Sequence, residues 1–341
     1  MRTSLRLALL LTFVLVVSAV LPAAQALAQS SPREATFEMY GPSGVILDRT
    51  PTFEWKRIKE QSKYEVRLTQ FKEVFVRPVT CETTYCAFTS PVTLGYKDYY
   101  WEVRLAPSGT WSSPMRFVVS SPGFTTHFTN TLGGFVRYKY VGGLWDAAAT
   151  YAWTDGKAGA WSPLYHKLNG GKYVDFDYTI IIKRWGGNNG TSFPSNCLMA
   201  RMGTNINLKY YWYPGYRFCI SNNGKYEIWY RGMSTADSHA IQRWTAHSAI
   251  RKGSSWNKLR VVAQGANFQF YINDTLVKTF SDDSKDRGYV GVMMYRYPGT
   301  ETELNIDYAK LTVIQTAGAV KSAFEPAPAL PYSEDEVIGS R

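Results

Sequence analysis

The sequence predicts an all-β chain of two β-sandwich domains in series, and three observations predict it. Short segments alternate apolar and polar residues with a period of two. Clusters of Gly, Pro, Asn and Asp punctuate these segments, with no helical periodicity between them. Tyr, Trp and Phe make up 15% of the 341 residues, and flat side chains pack well on a pleated surface.

The chain opens on Arg2 and Arg6, followed by an uncharged apolar run from Leu7 to Leu21. Pro22 breaks the run, and Ala26-Leu27-Ala28 offers the small-x-small pattern that a signal peptidase reads. At about 15 residues the run is short for a permanent span. Residues 1–28 are therefore expected to be a signal peptide. The mature protein is expected to be secreted, extracellular or periplasmic, with no permanent membrane span.

Residues 36–120 form the first expected domain. Thr52-Phe53-Glu54-Trp55 alternates, as do Tyr64-Glu65-Val66-Arg67-Leu68 and Tyr99-Tyr100-Trp101-Glu102-Val103-Arg104-Leu105. Pro107-Ser108-Gly109 turns the chain, and Met115 to Val119 adds a further strand. Ser120-Ser121-Pro122-Gly123 marks a junction suited to a linker.

Residues 124–316 form the second. Val174-Asp175-Phe176-Asp177-Tyr178-Thr179-Ile180 places apolar residues at every second position, so one face is buried and the other wet. Tyr216-Arg217-Phe218-Cys219-Ile220 and Tyr226-Glu227-Ile228-Trp229-Tyr230 repeat the pattern around Asn222-Asn223-Gly224, a hairpin signal. Asn267 to Ile272 and Thr275 to Phe280 flank an Asn273-Asp274 turn, Tyr289 to Tyr295 follows, and Glu303 to Val313 closes the domain. Residues 317–341 turn Ala/Pro-rich and then acidic through Glu334-Asp335-Glu336. That composition lacks the apolar content to pack, and predicts a disordered tail.

Two resemblances follow from these strings. Pro51-Thr52-Phe53-Glu54-Trp55, Tyr64 to Leu68, Tyr100-Trp101-Glu102-Val103-Arg104, Trp111 and Met115-Arg116-Phe117 together resemble a fibronectin type III-like domain. That resemblance implies core roles for the Trp and the later aromatics, and a spacer or binding role for the domain. Trp256-Asn257-Lys258-Leu259-Arg260-Val261, Phe268 to Asp274, Gly288-Tyr289-Val290-Gly291-Val292 and Ile306-Asp307-Tyr308 resemble a concanavalin A-like or laminin G-like jelly roll. The flavour is that of bacterial 3-keto-disaccharide hydrolase-type domains, with Asn273-Asp274 at a hairpin tip where relatives often carry Asn-Gly. Such folds host activities too diverse to carry function across.

The four cysteines fall into two close pairs, Cys81 with Cys86 and Cys197 with Cys219, one in each domain. In an oxidising compartment both pairs are expected as disulfides. Cys81–Cys86 reads as a local hairpin staple. Cys219 faces away from Tyr216, Phe218 and Ile220, so its bridge belongs on an outer face. Zinc is set aside, because neither pair has a second cysteine pair or a His doublet beside it.

Charge is uneven. Residues 29–120 carry 12 Lys and Arg against 10 Asp and Glu, whereas residues 121–316 carry 22 against 13. For an exported chain, the basic second domain points away from nucleic acid and towards a polysaccharide or cell-surface glycan, acidic ones included. Simple solubility explains the same excess.

Catalytic patterns are lacking. A retaining glycosidase needs two carboxyl groups about 5 Å apart, and the candidates are Asp175 with Asp177 and Glu301 with Glu303. The first pair lies opposite a clean apolar face and reads as solvated. His127, His166, His239 and His247 show no metalloprotease spacing and read as surface or loop residues. No Gly-x-Ser-x-Gly elbow or phosphate-cradling glycine loop occurs. The jelly-roll resemblance implies a rim calcium, for which Asp282, Asp283 and Asp286 are the oxygen-rich candidates. It is the only cofactor expected.

What remains is a ring-and-cation cluster. Tyr210-Tyr211-Trp212-Tyr213 carries rings on both faces of an extended segment, and Lys183-Arg184-Trp185 sets a Trp beside two cations. Sugar C–H faces stack on rings, and guanidinium groups donate to hydroxyls or carboxylates. Trp185, Tyr211, Tyr213 and Arg184 are therefore the expected ligand-binding residues. The reading is a secreted, non-catalytic binding protein that recognises a glycan through its second domain. A jelly-roll glycoside hydrolase or lyase, and an envelope or surface protein-interaction module, are the alternatives.

Overall fold

The computed structural model describes residues 36–137, 143–166, 172–186, 195–203, 205 and 213–317. The predicted signal peptide, Tyr211 and residues 318–341 lie outside them. Every regular element among the described residues is a β-strand.

In the N-terminal sandwich a three-stranded sheet carries β1 (Met39–Gly41), β3 (Thr52–Lys56) and β6 (Tyr85–Thr89). The facing sheet carries β2 (Gly44–Ile46), β4 (Lys63–Thr69), β5 (Glu73–Thr80), β7 (Asp98–Leu105) and β8 (Met115–Val119). The alternation quoted above buries Phe53, Trp55, Tyr64, Val66, Leu68, Trp101 and Val103 completely between them. The buried Trp101 indole N–H is satisfied by the Pro42 carbonyl at 2.9 Å. Cys81 and Cys86 are bridged, but not across a hairpin. β5 and β6 belong to different sheets, so the disulfide ties the point where the chain crosses from one layer to the other.

The second sandwich is a jelly roll of two antiparallel sheets. One holds, in spatial order, β10 (Phe135–Arg137), β13 (Trp161–His166), β22 (Tyr289–Tyr295), β15 (Asn196–Met202), β16 (Gly215–Ile220), β17 (Lys225–Arg231) and β18 (His239–Ala246). The other runs β11 (Asp146–Ala147), β12 (Ala152–Thr154), β23 (Thr302–Val313), β14 (Phe176–Gly186), β19 (Asn257–Gln264), β20 (Asn267–Ile272) and β21 (Thr275–Ser281), with β9 (Phe124–Thr126) beside β23. Their inner faces share one core that includes Tyr178, Ile180, Leu198, Phe218, Ile228, Val261, Phe270 and Val292. Asn273 and Asp274 both take positive φ, 47° and 66°. The hairpin tip therefore closes without a glycine, because Asn and Asp tolerate the left-handed region.

The Ser-Pro-Gly junction is packed. Ser120 and Ser121 are buried, and Val45 and Val118 of the first sandwich join the core cluster of the second. The chain also returns: β24 (Thr316–Ala317) pairs with β2. Ion pairs Arg287–Asp98 and Arg116–Asp286 complete the seam.

Candidate functional site

The two outer faces of the jelly roll differ. On the eight-stranded sheet the outward residues of β14 and β19 are half exposed. Asp177 accepts two hydrogen bonds from Arg260 at 2.8 and 2.6 Å, and Lys183 lies over the Trp256 ring at 4.7 Å. On the seven-stranded sheet, β15, β16 and most of β22 are buried on both faces. A second apolar cluster covers their outer side: Cys197, Met199, Met202, Tyr213, Cys219, Tyr289 and Met293, with Trp161, Tyr165 and Trp244 half-buried at its margin. The Cys197–Cys219 disulfide forms between directly opposed residues of β15 and β16. It lies on the outer face, as the parity of Cys219 requires.

A cleft of about 400 Å³ opens at that margin, lined by Trp161, Ser195, Glu227, Arg231, Trp244, Tyr295 and Tyr297. Strand geometry assembles it. In β17 the inward residues Tyr226 and Ile228 enter the core, which turns Glu227, Trp229 and Arg231 outward. Antiparallel register sets Arg217 opposite Trp229, and Cys219 opposite Glu227. From the other side of the sheet, Trp161 of β13 pairs with Tyr295 of β22, their rings 5.3 Å apart. Tyr297 meets Tyr295 edge-on at 5.8 Å.

Cations and rings interleave. The Arg217 guanidinium lies 4.5 Å over the Trp161 ring, and Arg231 lies 3.7 Å over Trp229, an arrangement that strengthens as water is excluded. The Trp229 indole N–H donates to Glu227 Oε2 at 2.9 Å. Burial pushes the Glu227 carboxyl up, and the Trp229 hydrogen bond with the Arg217 and Arg231 charges offsets only part of that rise. Burial, reinforced by Arg231, brings Arg217 down to about 9, with Glu227 acting the other way. Burial likewise lowers Arg231.

Glu227 is the one carboxylate among the residues lining this cleft. The internal segments outside the described residues contain no Asp or Glu. The cleft therefore offers half-exposed ring faces, one guanidinium and a single carboxylate.

The expected ligand residues are not brought together as a group. Trp185 is 59% exposed at the end of β14, in the other sheet. Arg184 points inward between the sheets and donates to Thr302 Oγ1 at 2.7 Å, Asn196 Oδ1 at 3.2 Å and the Tyr295 carbonyl at 3.1 Å. Burial, with Arg296 as a lesser cause, holds it down to about 10. Tyr213 is 2% exposed within the apolar cluster at whose margin the cleft opens, and burial pushes its hydroxyl up to about 12.

Of the three aspartates expected to hold calcium, two have other partners. Asp282 accepts from the Tyr216 hydroxyl at 2.7 Å and the Ser284 N–H at 2.9 Å, and contacts His239. Asp286 pairs with Arg287 at 2.6 Å, while Asp283 is exposed. Among the described residues no three His, Cys, Asp or Glu side chains converge as a metal site. Asp175 is also structural, accepting the Gly265 N–H at 2.8 Å with Arg201 at 3.6 Å. His166, expected at the surface, is a core residue: it is 1% exposed, stacks on Phe124 at 3.7 Å and meets the Tyr173 hydroxyl at 3.2 Å.

Sequence reasoning missed Glu227, Trp229 and Arg231. The signal was present, since a Trp alternating with charged residues opposite an apolar face is unusual for a wet strand. Trp161 and Tyr295 carried no such signal, because only cross-strand pairing over 134 positions joins them to the site.

No protein-family model matches the sequence, and no curated protein sequence matches it. Among solved structures, the chain is similar to the carbohydrate-binding module CBM66 from Bacillus subtilis, at 16% identity and TM-score 0.41 over 52% of this chain and 95% of that one. It is also similar to the exoplasmic/lumenal domain of VIP36 in its Ca2+/Man-bound form, at 10% identity and TM-score 0.43 over 62% and 98%. A Bacillus licheniformis β-glucanase gives 11% and 0.41 over 56% and 98%.

Proposed function

We propose that this protein is an exported, non-catalytic saccharide-binding protein whose ligand lies in the cleft on the outer face of the seven-stranded sheet. One observation carries the reading: Trp161, Trp244, Tyr295 and Tyr297 surround a single carboxylate, Glu227, and Arg231 in one cleft. Ring faces of that exposure suit the C–H faces of a pyranose, while the carboxylate and guanidinium suit its hydroxyls. Glycoside hydrolysis needs a second carboxyl across the scissile bond, which the lining does not supply. Residues 1–28 fit a signal peptide, and two disulfides with no free cysteine fit an oxidising compartment. The N-terminal sandwich acts in this reading as a fibronectin type III-like spacer.

Isothermal titration of the purified chain against a panel of neutral gluco-, manno- and xylo-oligosaccharides tests the proposal. Binding of at least one, weakened by roughly tenfold or more in Trp161→Ala, is the expected result. Failure of every member to bind, or unchanged affinity in the variant, removes it. Release of reducing ends on prolonged incubation would move the protein to the hydrolases.

A further inference from the structure

A larger concavity lies elsewhere, where the two sandwiches meet. Its volume is about 860 Å³, inside the ~300–1,000 Å³ range of ligand pockets. The turn between β4 and β5 forms one wall with Gln70, Phe71 and Lys72, and the start of β7 forms another with Tyr96, Lys97, Asp98 and Tyr100. Lys172 and Arg287 close it from the second sandwich.

The charge of this lining is one-sided. Four cations face a single carboxylate, and that carboxylate, Asp98, is already engaged by Arg116 at 3.0 Å and by Arg287. Lys72, Lys97 and Lys172 are exposed, and none of them forms an ion pair with a described residue. Three exposed lysines thus line one hollow, and a concave low-dielectric wall focuses their field. Of the three, Lys172 also acts on Lys285, which burial first and Lys172 second bring down to about 8. The rings are also presented to solvent: Phe71 is fully exposed at the turn, and Tyr100 is 42% exposed.

The geometry points to a second binding site in this cleft, for a carboxylated polysaccharide chain of the uronic-acid type. The lysines match carboxylates spaced along such a polymer, and Tyr100 with Phe71 offers ring faces to the sugars between them. Nucleic acid shares the charge but not the compartment that two disulfides fit. The site is independent of the ring-lined cleft, because it shares none of that cleft's lining residues. Two separate sites allow one protein to hold a neutral and an acidic glycan together.

Affinity electrophoresis of the full chain through gels containing polygalacturonate, with dextran and oligo-deoxythymidine gels as controls, is the test. Wild-type protein is expected to be retarded by polygalacturonate alone. Raising salt from about 0.1 M to about 1 M, which shortens the Debye length from ~10 Å to ~3 Å, should abolish the retardation. The triple variant Lys72→Gln/Lys97→Gln/Lys172→Gln should lose roughly tenfold or more in affinity with an unchanged melting temperature, while Trp161→Ala keeps wild-type retardation. Wild-type retardation in the triple variant, no retardation of wild type, insensitivity to salt, or equal retardation by oligo-deoxythymidine each overturns the assignment. Loss on Trp161→Ala alone would merge this site with the first and also overturn it.

Discussion

The outer faces of the two jelly-roll sheets began from the same rule and ended differently. Both sheets turn alternate residues into a common core. On the eight-stranded sheet the remaining residues meet water as ion pairs, such as Asp177 with Arg260 and Lys258 with Asp274. On the seven-stranded sheet they are covered again, by a disulfide, methionines and tyrosines. Where that second cover stops, Glu227 and Arg231 are held half-buried between rings. A wet face tolerates charge cheaply, whereas a face buried twice must satisfy each charge locally. The second situation concentrates perturbed groups, which is what marks the proposed site.

The contrast can be broken at the level both faces share. Phe218→Ala removes a fully buried ring from the common core and should cost about 3–5 kcal/mol in urea unfolding. A smaller cost would mean that the two layers are loosely coupled. Next, removing the disulfide on the covered face, as Cys197→Ala/Cys219→Ala, should cost about 3 kcal/mol, because it closes a longer loop than Cys81–Cys86, whose loss should cost about 2 kcal/mol. Equal melting shifts would deny the covered face its special weight.

Acid should act on the seam between the sheets. Burial brings His166 down to about 4, below the ~6.5 of an unfolded histidine. Between those values the unfolded chain binds the extra proton, so stability is full above pH ~6.5 and falls as pH drops towards 4, by up to ~3 kcal/mol. His166→Gln should flatten that slope in pH-dependent melts. A comparable slope in the variant would place the acid sensitivity elsewhere.

The smallest effects separate the faces most sharply. Glu227→Ala leaves the Trp229 indole N–H without its acceptor and the buried Arg217 and Arg231 without their carboxylate, and should destabilise by about 1–3 kcal/mol. Asp177→Asn breaks a pair that is about a third exposed on the wet face, and should cost below about 1 kcal/mol. Chemical denaturation of the two variants side by side measures the difference directly, and equal costs would erase it.

Much of the fold was legible because strand period, hairpin chemistry and cysteine parity are local. Val174 to Ile180 and Tyr226 to Tyr230 declared their inward faces, Asn222-Asn223-Gly224 declared a turn, and Cys219 declared its side of the sheet. The site was less legible. Arg184 and Trp185 are neighbours in sequence, yet one is interior and the other exposed, since consecutive residues of a strand point to opposite faces. Adjacency in sequence groups Arg184 with Trp185, whereas alternate positions group Glu227, Trp229 and Arg231. His166 looked like a loop residue and is in the core, because its apolar company, Phe124, Phe135 and Tyr173, arrives from other strands. Cys81–Cys86 looked like a hairpin staple because the switch of sheet between its two strands has no local mark.

The sequence alone determined that the chain is all-β, which residues of each strand share a face, and which cysteines meet. These follow from a two-residue period and from short chain distances. Only the tertiary structure decided which outer face is buried a second time, and that Trp161 and Tyr295 stand beside Glu227. Those outcomes depend on pairing between strands far apart in the chain, and period two says nothing about which strands become neighbours.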